Sequence, residues 1–312
     1  MLKKINILFL GGAKRVSLAE KFIELGKQTN TQVTIFSYEL TTDVPVAFVG
    51  KVIIGLKWTD IKLYEHLQEV IQKHAIHIVI PFLDTATLVA AKLKNMVLPN
   101  VFIPVSDIKL CERFFNKKKA NKWCKQNNIS VPNDDSSYPL IAKPITGSAS
   151  KGICILKNKK QLSKLKNKKQ FLIQQFITGK EYSIDIYVSP VTNEIVSMVP
   201  RQRLETQGGE SIKSITLRDE AIITFSKDVI NKSKLVGPLT LQVLKETSSN
   251  HIYFMEINPR FGGAVINSIQ AGANSPLYLI NDYLGIKNKR NNNWQNNLLM
   301  VRRFTEYYKQ CK

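Results

Sequence analysis

The sequence predicts two architectures in series: an α/β unit on a parallel sheet, then an α+β region of antiparallel strands. Two observations carry this reading. Short apolar runs alternate with helical periodicity as far as Pro81, and from Pro139 to Ile280 strand-like runs follow one another with few helices between them. A third observation, a hairpin polar on one face and apolar on the other, points to where the chemistry lies.

In chain order, Ile5–Leu10 is an apolar run ended by Gly11-Gly12, and Ala13–Gln28 spaces Val16, Leu18, Ala19, Phe22 and Ile23 as a helix does. Gln32–Tyr38 and Lys51–Leu56 read as strands, Asp60–Lys73 as a helix that Thr59 can cap, and Ile76–Pro81 as a buried strand. This βαβ rhythm puts helices on both faces of a parallel sheet and ligands beyond the carboxyl ends of its strands. The turn Gly11-Gly12-Ala13-Lys14-Arg15-Val16 does not fit the dinucleotide fingerprint G-x-G-x-x-G, because Val16 stands at the third glycine position. Glu39 alone is weak support for a ribose acid. After Val105-Ser106-Asp107 a lysine-rich helix is predicted from Ile108 to about Asn128, then a turn at Val131-Pro132-Asn133-Asp134. Beyond Lys287 the chain is Asn-rich and carries no pattern.

With 44% hydrophobic and 22% charged residues in 312, the composition excludes a disordered chain. No apolar run approaches the roughly 20 residues that span a bilayer, and Met1–Leu10 is too short for a signal peptide, so a cytoplasmic protein is expected. Cys111, Cys124, Cys154 and Cys311 show neither CxxC pairing nor metal spacing and read as unpaired thiols. Lys+Arg 45 against Asp+Glu 24 gives +21, a value that suggests a polyanion partner. The excess is spread along the chain, however, and its densest stretches, Lys117-Lys118-Lys119 and Lys157 to Lys169, do not alternate with aromatic residues. Solvated surface charge that helps attract phosphates accounts for it better than nucleic-acid binding.

Two segments carry chemistry. In Ile141-Ala142-Lys143-Pro144-Ile145-Thr146-Gly147-Ser148-Ala149-Ser150-Lys151-Gly152-Ile153 a strand delivers Lys143 to a proline turn, and a loop of small residues follows. Its backbone N–H groups suit phosphate oxygens, although it is not a Walker A loop and also reads, taken alone, as a structural hairpin. In the second segment, Pro238–Leu244 and Ile252–Asn258 flank the turn Glu246-Thr247-Ser248-Ser249-Asn250. A turn centred on Ser249 sets Gln242 opposite Glu256 and points Gln242, Glu256 and Asn258 to one side, leaving Leu239, Leu241, Val243, Tyr253, Met255 and Ile257 for the core. A carboxylate with two amides is a hard-oxygen set that suits Mg²⁺. Arg260 follows two residues after Asn258, placed to reach a transferring phosphoryl group, and Gly262-Gly263 allow close backbone approach.

Met255-Glu256-Ile257-Asn258-Pro259-Arg260-Phe261-Gly262-Gly263, preceded by Gln242, resembles the metal-binding end of ATP-grasp enzymes, most nearly those of the carbamoyl-phosphate synthase large-subunit branch. Asn116-Lys117 with Ile129-Ser130-Val131-Pro132 resembles that family's entry to the fold, with Asn116 in place of the usual aspartate. The resemblance implies ATP and Mg²⁺ (Mn²⁺ being an alternative metal), with Gln242, Glu256 and Asn258 as metal ligands. It implies Lys117, Lys143, Ser148, Ser150, Lys151 and Gly152 on the phosphates, Gln174 and the backbone from Gln175 through Phe176 to Ile177 at the adenine, and Glu181 on the ribose. Lys143 and Arg260 would be catalytic. The implied organisation is a preceding α/β domain at 1–107, a first ATP-grasp lobe with its phosphate lid at 108–172, a second lobe with the metal site at 173–290, and a tail at 291–312. Only one ATP-grasp unit is seen, so a stand-alone carboxylate ligase is expected rather than a carbamoyl-phosphate synthase. It would join a small carboxylate to a nucleophilic co-substrate, an amine or a thiol, and a homodimer is compatible with this. Arg15 and Asp84, at strand ends of the first unit, and Arg201, Arg203 and Glu210, in a glycine-containing polar segment, are the acceptor-site candidates. The competing expectations are a nucleotide-binding regulatory or inactive relative and a basic polyanion-binding protein.

Overall fold

The computed structural model describes residues 3–96, 100–134, 137–147, 151–308 and 310. Strand β1 (Lys3–Leu10) is followed by α1 (Val16–Gly26), β2 (Thr31–Glu39), β3 (Lys51–Ile54), α2 (Leu63–Lys73), β4 (Ile78–Pro81) and α3 (Asp84–Lys94). The four strands are all parallel, in the order β3-β2-β1-β4. Ile5, Ile7, Leu8, Phe9 and Leu10 are all buried, as expected of a central strand covered on both faces. The α1 side chains Leu18, Phe22 and Leu25 cover one face, and Leu67, Val70, Ala86 and Ala90 of α2 and α3 the other. In the β1–α1 turn the Gly12 and Ala13 amides are turned to the Glu39 carboxylate, itself bonded by Ser37 Oγ at 2.6 Å. Helix α2 starts later than expected. Asp60 Oδ1 accepts from Lys62 N–H and holds a turn before it, so Thr59 does not cap the helix.

The single lysine-rich helix expected after Asp107 is two helices, α4 (Ile108–Phe115) and α5 (Lys117–Gln126). The break is at Asn116, whose backbone is extended and whose side-chain oxygen accepts from the Lys118 and Lys119 amides. Asparagine thus supplies the cap that aspartate would. A three-stranded antiparallel sheet follows, made of β5 (Leu140–Pro144), β6 (Cys154–Leu156) and, after the exposed helix α6 (Lys159–Lys164), β7 (Phe171–Gln175).

The third sheet has six antiparallel strands: β8 (Gly179–Val188), β9 (Ile195–Gln207), β10 (Glu210–Thr216), then after α7 (Glu220–Ser233) β11 (Gly237–Glu246) and β12 (Ile252–Asn258). After α8 (Ile266–Gln270) and α9 (Ser275–Leu284), the patternless tail contributes β13 (Leu299–Val301), which joins the edge of β10. One face packs on Phe114, Trp123, Ile222, Val229 and Ile230 of α4, α5 and α7. Helix α9 packs instead beside α1 against the parallel sheet.

One expectation about the β11–β12 hairpin needs correction. Gln242 does face Glu256, but the next pair is Val243 with Phe254, so Met255 is an extra residue in a bulge. Phe254 and Ile252 therefore enter the core, while Met255 and Tyr253 are only half-buried.

The largest fully buried side chain is Arg201. Its Nε and Nη2 bond Asp185 at 2.6 and 3.2 Å, and Ser268 Oγ donates to the same carboxylate at 2.6 Å. Asparagine in place of Asp185 would leave the guanidinium buried without its counter-charge, so Asp185→Asn should lower unfolding stability by about 3–5 kcal/mol. Equilibrium denaturation checks this; a loss under about 1 kcal/mol would mean water reaches the pair.

Candidate active site

The three-stranded and six-stranded sheets face each other across a cleft of about 140 Å³, lined by Lys117, Lys143, Lys151, Glu181, Arg203, Gln242, Met255 and Glu256 among others. Strand β5 brings in Lys143 and the loop after it Lys151, α5 brings in Lys117, and β8, β9, β11 and β12 supply Glu181, Arg203, Gln242, Met255 and Glu256 from the other sheet. Lys143 is 7% exposed, and its Nζ lies 4.0 Å from Met255 Sδ. Burial lowers its pKa to about 8, against the pull of Glu256. Lys117 Nζ donates to the Gly147 carbonyl at 3.0 Å and stands 3.9 Å from Glu256 Oε2.

On the hairpin, Asn258 Nδ2 donates to Glu256 Oε1 at 3.0 Å, and Gln242 Oε1 accepts from Arg203 Nη1 at 2.9 Å. Arg203 also reaches Glu181 at 3.1 Å and the Gly209 carbonyl at 2.8 Å, while its buried Nε has no partner among the described residues. Next to this cleft, Arg260 Nη2 pairs with Asp84 at 2.6 Å and approaches Asn258 Oδ1 at 3.3 Å. Arg15 Nη2 bonds Glu210 at 2.9 Å. The strand ends of the parallel sheet therefore meet the loop after β12, and Phe261 anchors that loop by stacking on Phe82 at 6.2 Å.

Most residues singled out from the sequence thus converge, but some do not. Arg201 is 1% exposed inside the sheet and cannot serve as an acceptor-loop residue, because Asp185 has claimed it. The Gln174 side chain is also buried, donating to Asn121 Oδ1 and the Pro132 carbonyl at 3.0 Å each, so it positions β7 and does not face the cleft. The amides of Gln175 and Phe176 are engaged by the Asn133 and Pro139 carbonyls, which restricts what their backbone can offer a base. Gly152 packs near Pro144. Ser148 and Ser150 lie outside the described residues.

Two participants were not singled out. Met255 enters the cleft only because of the bulge, and Arg302 reaches Glu210 at 2.9 Å from a segment with no periodicity. No spacing signal marks either. Cys111 and Cys124 are buried free thiols with pKa pushed up to about 12 by burial, consistent with inert core residues. No helix among the described residues is long and apolar enough to cross a membrane.

Residues 114–264 match the model of the ATP-grasp domain family, and this part of the chain is an ATP-grasp domain. The fold agrees with solved structures of that type. The biotin carboxylase domain dimer of Hydrogenobacter thermophilus 2-oxoglutarate carboxylase, solved with MgADP, ADP and bicarbonate, is 15% identical with a TM-score of 0.73, covering 94% of this chain and 73% of its own. The N5-carboxyaminoimidazole synthetase of Staphylococcus aureus in complex with ADP is 17% identical with a TM-score of 0.72, over 92% of this chain and 79% of that one. The L-amino acid ligase of Bacillus licheniformis is 18% identical with a TM-score of 0.68, over 90% and 74%. No curated protein matches by sequence.

The buried lysine makes a testable prediction. Below pH 8 the fold carries the full cost of the charged Nζ; between about 8 and 10.5 the unfolded chain binds more protons, so stability rises with pH. Lys143→Met should therefore stabilise the protein at pH 7, by up to about 3 kcal/mol, with the advantage fading across that window. Denaturation at pH 7 and pH 10 tests it, and a variant no more stable than wild type at pH 7 would refute the buried charge.

Proposed function

We propose that the protein is an ATP- and magnesium-dependent ligase that activates a substrate carboxylate as an acyl phosphate and transfers the acyl group to an amine or similar nucleophile. The observation that carries this reading is a lysine buried at the cleft without a carboxylate partner within salt-bridge distance among the described residues, opposite a hairpin that presents Glu256 and Asn258. A cation desolvated to that degree is stabilised by any phosphate that reaches it.

The donor set suits magnesium. Glu256 is 31% exposed toward the cleft, Asn258 lies 3.0 Å from it, and Gln242 occupies the facing position on β11. One carboxylate with neutral oxygens leaves room for phosphate oxygens and water in an octahedral shell. Bound there, magnesium would neutralise the β- and γ-phosphates. Lys143 and Lys117 would hold phosphate oxygens, Lys151 would cover them, and Glu181 would meet the ribose hydroxyls.

With the nucleotide so held, a substrate carboxylate oxygen attacks the γ-phosphorus as the bond to the β-phosphate oxygen breaks, giving the acyl phosphate and ADP. Lys143 and Arg260 offset the charge on the transferring group, so the protein contributes mainly position and electrostatics. The nucleophile then adds to the acyl carbon, phosphate leaves, and the proton lost by the nucleophile passes to solvent or to a cleft carboxylate. Asp84, through its pair with Arg260, fixes the guanidinium at the junction of the two units.

Thermal unfolding with Mg²⁺ and a non-hydrolysable ATP analogue tests the nucleotide site. At a hundredfold excess over its dissociation constant the analogue should stabilise the wild type by about 2.7 kcal/mol. Lys143→Ala and Glu256→Ala should lose most of that gain. An equal gain in all three proteins would remove these residues from the site. Binding at pH 8 should also take up protons, because phosphate returns Lys143 to its charged form; calorimetric heats that do not depend on the buffer's ionisation enthalpy would contradict this.

A further inference from the structure

The proposed reaction leaves the segment after β13 without a task, although its Arg302 meets Glu210, which follows the cleft residue Gly209. Strand β13 pairs with β10, and Arg302 N–H continues the ladder by donating to the Ile212 carbonyl at 2.8 Å. The Arg302 side chain then turns inward: Nη1 lies 2.9 Å from Glu210 Oε2, and Nη2 donates to the Gly263 carbonyl. Arg15, from the parallel-sheet unit, makes the matching contacts, at 2.9 Å to Glu210 Oε1 and 3.4 Å to the same carbonyl. Farther along, Tyr307 stacks on Phe48 with ring centroids 4.7 Å apart. The segment thus runs from the six-stranded sheet to the parallel-sheet unit, three residues along the chain from Arg260 at its contact with Gly263.

Two guanidiniums converging on one carboxylate form a receptor for a carboxylate. Burial would raise the Glu210 pKa, but the two arginines hold it down at about 2, so it stays ionised and serves as a ligand rather than as a base. Its setting differs from that of the structural pair Arg201–Asp185, whose side chains are 1% and 5% exposed. Glu210 is 40% exposed and Arg302 31%, so the fork is open to solvent. Glu210 also follows a turn made by Gly208 and Gly209 at φ 56 and 79°, values that cost glycine little. At Gly263 a Cβ would come within 2.5 Å of Glu210 Cδ, so a glycine is what lets a carboxylate lie there. Arg15, Arg260 and Arg302 against Asp84 and Glu210 leave one positive charge over.

Resting on the ligase reading, we propose that Arg15 and Arg302 form a fork for a substrate carboxylate other than the one activated at Arg260, with Glu210 as its internal stand-in. The substrate class is then a compound with two carboxylates, and the C-terminal segment is a specificity element of the cleft.

Calorimetry with glutarate, and with butyrate as its one-carboxylate counterpart, in Mg²⁺ and a non-hydrolysable ATP analogue tests this. Glu210→Ala opens the fork and should bind glutarate about tenfold more tightly than wild type, with a matching preference over butyrate. The double variant Glu210→Ala/Arg302→Ala should lose both effects. Glu210→Gln, which keeps the side chain's length, should show the same gain in smaller measure and guards against a folding defect. Equal glutarate affinity in the single and double variants, or none in either while the nucleotide still binds, overturns the fork. Failure of the nucleotide to bind wild type overturns the ligase reading instead.

Discussion

The six-stranded sheet is organised around the bond between Asp185 and Arg201. Charges this deep are tolerated only where every donor and acceptor is matched, and here Ser268 and Ser214 complete the set. The pair joins β8 to β9, and Ser268 ties in α8. The Thr240 hydroxyl lies within reach of both Asp185 Oδ1, at 3.3 Å, and the Arg260 carbonyl, at 3.4 Å. A Cβ on Gly262 would strike the same hydroxyl, at 2.6 Å. The loop that carries Arg260 and Gly263 is therefore seated on the buried pair from below, while Phe261 fixes it to Phe22 and Phe82 of the parallel-sheet unit. Packing against two independent cores is what holds a polar loop in one geometry.

That double anchoring explains which parts of the molecule were legible beforehand. The parallel sheet announced itself because a central strand buried on both faces must be largely apolar, as Ile5–Leu10 is except for Asn6. The β11–β12 hairpin did so because a sheet with one dry face alternates, and the opposition of Gln242 and Glu256 follows from counting back from the turn. What escaped was irregular. A bulge is an added residue with no periodic signature, so Met255 was assigned to the core and Tyr253 with it. Alternation gives the face of a residue but not the company it keeps, which is why Arg201 and Arg203, two residues apart on one strand, looked equivalent. One is sealed by Asp185, and the other reaches Gln242 and Glu181. The helix break at Asn116 was readable in principle, since asparagine caps helices, but helix-compatible residues on both sides, Glu112-Arg113-Phe114-Phe115 before it and Lys117-Lys118-Lys119 after it, hid it.

The tail was illegible for a different reason. Three residues of edge strand are too few to show a period, and Arg302 owes its place to a partner on β10, far away in sequence. Only the folded chain brings Arg15, Glu210 and Arg302 together, across sequence separations of 195 and 92 residues.

The electrostatics of the cleft follow from how its cations are paired. Lys117 leans on the Gly147 carbonyl and toward Glu256, Arg203 on Gln242 and Glu181, Arg260 on Asp84, and Arg15 with Arg302 on Glu210. Each of these partners is an oxygen acceptor, and Glu256, Glu181, Asp84 and Glu210 are carboxylates, so the protein fills its own anion sites largely with groups of the right chemistry. A site arranged in this way needs little reorganisation when a ligand oxygen replaces an internal one, which is the condition for preorganised stabilisation of transferring charge. Lys143 is the exception. Its recorded contact is the soft Met255 sulfur, it is the most buried of the group, and its pKa is the one drawn far below the ordinary lysine value. A thioether cannot offset an ammonium as an anion does, so the desolvation of Lys143 is offset only in part, by the pull of Glu256 and Glu181, until an anion reaches it. The bulge that turns Met255 into the cleft sets a thioether against this one position and leaves Lys143 as the cation with most to gain from a phosphate.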